Sequence, residues 1–247
     1  MARGGAPLVT RHRFFVPADS LQGDTVRFPS EQSHQIRQVL RLRPGDTVTA
    51  VAGSGTEYVV TLEHVGRDVS GRIAERRRNQ AEPRLRVTLY QALLKGSRMD
   101  LVLQKGTEIG VTGFVPVLTA RAVPAEPSAA KQRRYETIVR EAAEQSGRGR
   151  LPEVREAVSL GDALTMAQGT IIFPWEGEYT RHLRDVPLDE SGVSLFIGPE
   201  GGWTEEEVRQ AAGAGALVVT LGPRILRAET AAIVTSALVL ARAGEFA

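Results

Sequence analysis

The sequence predicts an α/β protein in two parts, a small β module in residues 1–78 and a larger α/β domain in residues 79–247. Residues 11–77 contain five short strand-like segments and one helical segment, whereas the chain beyond residue 83 alternates apolar strands with helical stretches. These later strands are apolar on both sides, which is typical of a mostly parallel sheet covered by helices on both faces. We therefore expect two different architectures along the chain.

The first part is rich in β-branched residues separated by turn residues, which predicts short strands. One helix interrupts them, with Ser30 as its predicted N-cap and Arg43-Pro44-Gly45-Asp46 at its end. Ile36, Val39 and Leu40 supply apolar positions at helical spacing. This content favours a small barrel-like module. The predicted strands are RFFV (13–16), DTVRF (24–28), DTVTAVA (46–52), TEYVVTLEHV (56–65) and VSGRIAE (69–75).

A polar segment, RRRNQAEP at residues 76–83, is the predicted linker between the two parts. A second irregular segment, residues 123–130, is rich in proline and alanine and predicts a loop. No internal repeat is visible. The predicted strands of the second part are VTLYQALL (87–94), FVPVL (114–118), TIIFP (170–174), VSLFIG (193–198) and ALVVTLG (216–222).

Two predicted helices of the second part carry polar pairs. In residues 96–110, Ser97 and Asp100 form a capping signature, and Lys105 and Glu108 have the spacing of an i,i+3 ion pair. The helix in residues 133–146 is predicted to end at Gly147. Its predicted apolar face consists of Tyr135, Ile138, Val139 and Ala142.

Composition excludes several classes of protein. The chain of 247 residues has a formal net charge of +2, and no run approaches the roughly 20 apolar residues of a membrane span. It has no cysteine and only four scattered histidines, so we expect no disulfide and no metal site. The absence of cysteine suits a cytoplasmic protein. Residues 1–80 hold 12 arginines against 8 acidic residues, which hints at an RNA partner.

The segment FIGPEGGWT, residues 196–204, ends an apolar strand in a glycine-rich turn that carries one carboxylate. Thr204 and Glu207 form a capping box, so a helix is predicted to begin directly after the glycines. The lysine of a P-loop and the spacing of a dinucleotide fingerprint are both missing. On these residues alone, a structural turn and a ligand-binding loop remain equally open.

Two further segments also follow predicted strands. LGPRILRAETAA, residues 221–232, crosses a short loop into a long helix that is predicted to end near Arg242. Ile225 and Leu226 lie in that loop between Arg224 and Arg227, which favours a pocket for a flat apolar ligand. Pro174-Trp175-Glu176 ends another strand and by itself reads as a strand terminator. Because ligands of open α/β sheets bind beyond the carboxyl ends of the strands, we expect the three segments to meet.

Four ordered segments resemble the ribosomal RNA small subunit methyltransferase E family: KGSRMDLVLQKGTEIG, IVREAAEQSGR, FIGPEGGWTEEE and LGPRILRAETA. RHRFFVP and HQIRQVLRLRPGD are similar to the family's front module, so the resemblance covers nearly the whole chain. Trp203 stands where phenylalanine is usual. The family methylates N3 of one uridine in 16S ribosomal RNA with S-adenosyl-L-methionine. The resemblance therefore implies a SPOUT-type domain with a C-terminal trefoil knot, a preceding PUA-like β-barrel domain, a homodimer, and the 30S ribosomal subunit as partner.

The chemistry of the reaction that the resemblance implies indicates candidate roles for particular residues. Glu200 is the expected acceptor of the uridine N3 proton, and Arg227 is expected to stabilise negative charge on the base. Arg11, Arg13, Arg41 and Lys95 are the expected RNA-binding residues, and no metal is expected. The expected contacts of the methyl donor are Pro174, Gly198, Pro199, Gly201, Gly202, Leu221, Gly222, Ile225, Leu226, Thr230 and Ala231.

Three alternatives remain open at this point. The first is another SPOUT methyltransferase that acts on transfer RNA or on a ribose hydroxyl, although the front module and LGPRILRAETA favour the 16S enzyme. The second is a non-catalytic RNA-binding assembly factor. The presence of the glycines, Glu200 and Arg227 disfavours this alternative. The third is a nucleotide-dependent oxidoreductase, which the missing dinucleotide fingerprint disfavours.

Overall fold

A computed structural model describes residues 12–122 and 127–246 of the chain. These residues form two compact units. The first unit ends at Glu82 and also includes Ala143–Leu151, whereas the second unit contains Pro83–Ala142 and the chain from Pro152 onward. The sequence contained no local signal that Ala143–Leu151 belongs with the first unit.

The first unit is built on a six-stranded sheet with the order β1-β4-β5-β6-β3-β2. β1 and β4 are parallel, and the other neighbours are antiparallel. Alternating burial along the strands places valine, isoleucine, leucine and phenylalanine side chains in one core. The strands are β1 Arg13–Phe15, β2 Leu21–Gln22, β3 Thr25–Phe28, β4 Thr47–Val51, β5 Thr56–Val65 and β6 Val69–Arg78.

The helix of this unit, α1 Ser30–His34, continues as one π-helical turn, Gln35–Val39. Its N-cap is Pro29, so the prediction that Ser30 is the N-cap was wrong by one position, and no side chain caps the helix. Ser33 fastens the helix instead, because its hydroxyl donates to the Phe28 carbonyl and accepts from the Val69 N–H. Ile36 is buried as predicted, whereas Val39 is 66% exposed.

A buried carboxylate organises one end of the first unit. Glu57 is 4% exposed and accepts hydrogen bonds from Arg77 at 2.7 Å and from Asn79 at 2.5 Å, and Arg13 pairs with it at 2.7 Å. Burial raises the pKa of Glu57, but these donors outweigh burial and hold the pKa below its usual value. β6 runs through Arg78, so the first three residues of the predicted linker belong to a strand.

The second unit contains a seven-stranded sheet in which every pairing of described strands is parallel. The order is β10-β8-β7-β12-β11-β13, and β9 also pairs with β8. All five predicted strands are therefore confirmed. The strand predicted at 170–174 has the predicted bounds, the one at 114–118 begins one residue earlier, and the other three are shorter by one to four residues in total. The strands are β7 Val87–Ala92, β8 Gly113–Leu118, β9 Glu153–Val154, β10 Val158–Ser159, β11 Thr170–Pro174, β12 Val193–Ile197 and β13 Leu217–Val219.

Five α-helices and one short 3-10 helix, Leu183–Asp185, accompany this sheet in the part of the chain that the structure describes. The bounds of the α-helices are α2 Arg98–Ile109, α3 Ala129–Gln145, α4 Leu160–Met166, α5 Glu205–Gly213 and α6 Ala228–Arg242. α3 begins at Ala129, so the last two residues of the predicted 123–130 loop are helical, and residues 123–126 lie outside the described residues. Tyr135, Val139 and Ala142 of α3 are buried, as its predicted apolar face requires.

The start of α2 differs from its prediction. Ser97 is the N-cap, but its side chain makes no capping hydrogen bond, and Asp100 instead pairs with Arg134 at 2.7 Å. The predicted pair of Lys105 and Glu108 is confirmed at 2.8 Å. None of the described helices has the length and the apolar character that crossing a bilayer requires.

Candidate active site

Three neighbouring strands of the second unit place the candidate site. β12, β11 and β13 lie side by side and run parallel, so their carboxyl ends meet at one edge of the sheet. The chain leaves these ends through three segments. We call them the glycine turn, Gly198–Trp203, the tryptophan segment, Trp175–Glu178, and the arginine loop, Thr220–Arg227.

These segments line one cavity of about 810 Å³. Its volume falls within the range of small-molecule sites, which is roughly 300–1,000 Å³. The prediction that the three strand ends meet is therefore confirmed. All the residues expected to contact a methyl donor line the cavity except Thr230, which is exposed on the first turn of α6. Its neighbours Ala228, Glu229 and Ala231 line the cavity instead, because successive helical positions point in different directions.

The glycine turn depends on residues without a Cβ. Gly202 has a φ of +69° and donates its N–H to the Pro199 carbonyl at 3.0 Å, which closes the turn. A Cβ on Gly202 would collide with the carboxylate oxygen Oε1 of Glu176. A Cβ on Gly198 would lie 3.1 Å from Nε1 of Trp203. The glycines thus let the tryptophan segment and the indole ring lie directly against the turn.

The helix that follows the turn starts as predicted. Thr204 accepts from the Glu207 N–H and Glu207 accepts from the Thr204 N–H at 2.8 Å, which is a complete capping box. Glu207 also accepts from the Ala120 N–H at 2.8 Å. Trp203 is 3% exposed and its ring centroid lies 4.4 Å from that of Phe173 on β11. Capping and aromatic packing therefore fix both sides of the turn.

Glu200 lines the cavity, but its carboxylate is already occupied. Oε1 accepts from the Lys95 N–H at 2.9 Å and from Arg98 at 2.7 Å. Both donors follow β7, which is the neighbour of β12 in the sheet. Burial raises the pKa of Glu200, but the Lys95 N–H and Arg98 outweigh burial and lower it. A carboxylate with a lowered pKa is a weaker base, which argues against the predicted role of Glu200 as proton acceptor.

Arg98 connects the glycine turn to the start of α6. Its Nε lies 3.7 Å from Oε1 of Glu229, whose side chain is 13% exposed. Two buried polar atoms beside the cavity have no hydrogen-bond partner in the described chain: Oε2 of Glu229 and Nε1 of Trp203. Four glutamates and three arginines line the cavity, so its formal net charge is −1 with His182 neutral.

The arginine loop presents both apolar and cationic groups. Ile225 is 88% exposed and Leu226 is half-buried, and both line the cavity, so the predicted apolar lining is confirmed for these two residues. Arg227 is exposed at the cavity. Within the described residues its guanidinium takes part in no hydrogen bond or ion pair, so it remains available to a ligand.

The expected RNA-binding residues lie in different surroundings. Arg13 is engaged with Glu57, donates to the Arg148 carbonyl at 3.2 Å and keeps only 14% of its side chain exposed, which argues against a role in RNA contact. Arg41 is exposed at a φ of 55°, the one positive φ of a described non-glycine residue. Lys95 is also exposed, and Arg11 lies outside the described residues.

Comparison with known proteins bears on both units. Residues 81–240 match the family model described as an RNA methyltransferase domain. Ribosomal RNA small subunit methyltransferase E of Synechocystis is 34% identical over 95% of this chain and 79% of its own length. The protein of the same name from Bacillus subtilis is 33% identical over 89% of this chain and 92% of its own length.

The chain belongs to the ribosomal RNA small subunit methyltransferase E family. A crystal structure of methyltransferase E from Neisseria gonorrhoeae, bound to S-adenosyl methionine, is also similar. It has a TM-score of 0.86 and 33% identity, and the match covers 94% of this chain and 97% of that one. The α/β architecture with a parallel sheet is thus the architecture of a methyltransferase E.

Sequence reasoning missed several cavity residues of this methyltransferase E family member. Arg98, Glu176, Tyr179 and Glu229 all line the cavity but were not selected as site residues. Glu176 and Glu229 had a usable signal, because each belongs to a segment that was already singled out at a strand end. Within the described residues, no group of three or more potential ligands could hold a metal ion.

Proposed function

We propose that this chain uses S-adenosyl-L-methionine to methylate N3 of one uridine in 16S ribosomal RNA of the small ribosomal subunit. One observation carries the proposal: the three strand-end segments of a methyltransferase E chain line a single cavity, whose net charge suits a cationic ligand. Neither a phosphate-binding lysine nor a metal cluster is present among the described residues of this cavity.

The residues present fit the methyl donor. When bound, S-adenosyl-L-methionine supplies a methyl group on a positively charged sulfur. Its net positive charge suits a cavity whose lining carries a formal charge of −1. The glycine turn offers close backbone groups, and Ile197, Leu221 and Leu226 offer apolar contact to an adenine ring. The unpartnered Nε1 of Trp203 is a donor that a ligand would satisfy after a small movement of the turn.

The chain's charged residues act on the RNA base. Uridine N3 carries a proton, and the base becomes negative as that proton leaves. Arg227 lines the cavity with an uncommitted guanidinium, so we assign it to stabilise this developing charge. We assign Glu200 a positioning role, because its carboxylate holds the Lys95 N–H and Arg98 beside the glycine turn.

The remaining expectations concern architecture and partners. We propose that the first unit is a PUA-like RNA-binding domain in which Arg41 contacts phosphates, and that exposed Lys95 contributes beside the cavity of the second unit. We further propose a SPOUT-type second unit with a C-terminal trefoil knot. The proposed location is the cytoplasm.

We also propose that the chain acts as a homodimer. Leu101 of α2 is 39% exposed, and Val234 and Leu238 of α6 are 37% and 46% exposed. These two helices pack against each other, and such exposed apolar side chains favour an interface. Light scattering of the purified protein tests this, since a monomer at micromolar concentration would contradict it.

Two measurements test the proposed activity. Titration calorimetry with S-adenosyl-L-methionine should show saturable binding. Methylation of purified 30S particles and of naked 16S RNA, followed by mass spectrometry of nuclease fragments, should place one methyl group on N3 of one uridine. Binding without methylation of either substrate would support a non-catalytic RNA-binding factor. A methyl group on a ribose hydroxyl, or on transfer RNA assayed in the same way, would show another SPOUT methyltransferase.

A further inference from the structure

We infer that Glu176, the last residue of the Pro174-Trp175-Glu176 segment, is the group that accepts the proton of the target base. The inference rests on the proposed function, because it concerns the N3 proton of a uridine that enters the same cavity. It replaces the sequence-based assignment of this role to Glu200. The two assignments differ in what each carboxylate contacts.

Glu176 is distinguished from the three other carboxylates of the cavity by its lack of a partner. Glu200 accepts from Arg98 and the Lys95 N–H, and Glu229 pairs with Arg98 at 3.7 Å. Glu178 accepts from the hydroxyl of Thr180 at 2.6 Å and from backbone N–H groups. In the described chain Glu176 is the one cavity carboxylate that has neither a hydrogen bond nor an ion pair.

The position of Glu176 places its carboxylate on the side of the cavity that the glycine turn forms. It follows β11, the middle strand of the three that end there, and its Oε1 lies within collision distance of the position that a Cβ of Gly202 would take. The carboxylate therefore rests on the glycine turn, and it is exposed to the cavity. The other titratable or charged groups that line the same cavity are Arg98, Glu178, Tyr179, His182, Glu200, Arg224, Arg227 and Glu229.

The neighbouring carboxylates of Glu178 and Glu200 are weaker bases than an ordinary glutamate, which makes them poor acceptors for the N3 proton. The hydroxyl of Thr180 and the N–H groups of Thr180 and Arg181 lower the pKa of Glu178 to about 2. Arg98 and the Lys95 N–H outweigh burial and lower the pKa of Glu200. A carboxylate that must take a proton is most effective when no strong donor already stabilises its charged form.

The reaction transfers one proton and one methyl group. The N3–H bond of uridine breaks and its proton bonds to a carboxylate oxygen of Glu176. The electron pair left on N3 forms the new bond to the methyl carbon, and the carbon–sulfur bond breaks with its electron pair going to sulfur. The products are N3-methyluridine, S-adenosylhomocysteine and a protonated Glu176, which then loses its proton to water. Arg227 lines the same cavity and would stabilise the transient negative charge that the base carries.

His182 is the rival acceptor, because it lines the same cavity and also has no hydrogen bond through its ring in the described chain. The structure places His182 beside Thr220 through a parallel β-bridge, at the far side of β13. Glu176 is the residue that lies against the glycine turn. This contact favours Glu176 over His182 as the proton acceptor, and substitution of each residue distinguishes the two assignments.

The test compares Glu176→Gln with wild type in single-turnover methylation of the RNA substrate between pH 6 and 9, with calorimetric affinity for S-adenosyl-L-methionine measured in parallel. We expect a loss of about 100-fold or more in rate at pH 7, because general base catalysis contributes roughly 10²–10⁴-fold. The residual rate should rise about tenfold per pH unit, since hydroxide then removes the proton. Donor affinity should stay within about threefold of wild type.

Two control variants sharpen the result. Glu190→Gln removes an exposed carboxylate outside the cavity and should leave the rate unchanged. Glu176→Asp keeps a carboxylate on a shorter stem and should recover part of the rate, which a purely structural role would not require. Retained melting temperature shows that each variant is folded.

Several outcomes would overturn the assignment. A rate for Glu176→Gln within about threefold of wild type would do so. So would a rate loss that is matched by an equal loss of donor affinity, or a larger loss with the same pH slope in His182→Asn or Glu200→Gln. Wild-type protein that methylates no uridine at N3 would instead refute the proposed function, so the two failures are distinguishable.

Discussion

Replacing Gly202 with alanine tests whether the glycine turn must be free of side chains. Gly202 has a φ of +69°, a conformation that alanine adopts at a cost of roughly 1–2 kcal/mol. The new Cβ would also displace the carboxylate of Glu176, which is the flexible end of an exposed side chain and can move. The backbone term therefore dominates, and we expect the free energy of unfolding to fall by about 1–2 kcal/mol.

The same substitution should weaken donor binding. If the turn relaxes by rotating its backbone groups away from the cavity, the affinity falls by up to the same energy, which corresponds to a factor of about 5–30. For a chain of this size, each kcal/mol shifts the melting temperature by roughly 2–4 °C. Thermal unfolding and titration calorimetry with S-adenosyl-L-methionine measure the two quantities.

Gly213 supplies the matched control. It is the last residue of α5, and a Cβ there would meet no atom of the described chain within 4 Å. Gly213→Ala should stabilise the protein by up to about 1 kcal/mol and leave donor affinity unchanged. The reasoning is refuted if Gly202→Ala keeps the wild-type melting temperature and affinity, or if Gly213→Ala loses affinity equally.

Three other substitutions have defined outcomes. Arg227→Ala should slow single-turnover methylation by about 10²–10³-fold with little change in donor affinity, because it removes a group that stabilises charge only as the reaction proceeds. Arg98→Ala should lower stability in thermal unfolding by only about 1 kcal/mol, since its pair with Glu200 is partly exposed. Glu82→Gln should cost roughly 3 kcal/mol at pH 7 by urea unfolding, because it removes the carboxylate that pairs with the buried guanidinium of Arg148 at 2.8 Å. Burial raises the pKa of Glu82. Arg148 and two backbone N–H groups lower it by more than burial raises it, so the folded pKa lies below the ordinary 4.5. Its contribution is thus complete above pH 4.5 and disappears as the pH falls through the folded pKa, where the variant and wild type should converge. A difference that persists at low pH would contradict this origin.

Local patterns in the sequence determined much of the second unit. Apolar strands separated by helical stretches predicted a parallel sheet, and Thr204 with Glu207 marked the start of α5 within one residue. These features depend on interactions between residues close in the chain, such as capping and strand periodicity. The three strand ends that line the cavity could be named for the same reason, because parallel strands end at a common edge.

The partners of the cavity carboxylates were decided by the tertiary structure. Glu200 meets Arg98, which is 102 positions away, because β12 lies beside β7 in the sheet. Glu176 rests on Gly202 because β11 lies beside β12. Arg13, expected at an RNA surface, is instead paired with Glu57 inside the first unit. The sequence by itself determined which segments meet at the cavity, whereas the order of the strands decided which carboxylate is occupied and which remains available. No local pattern encodes that order, since it follows from how distant strands pack together.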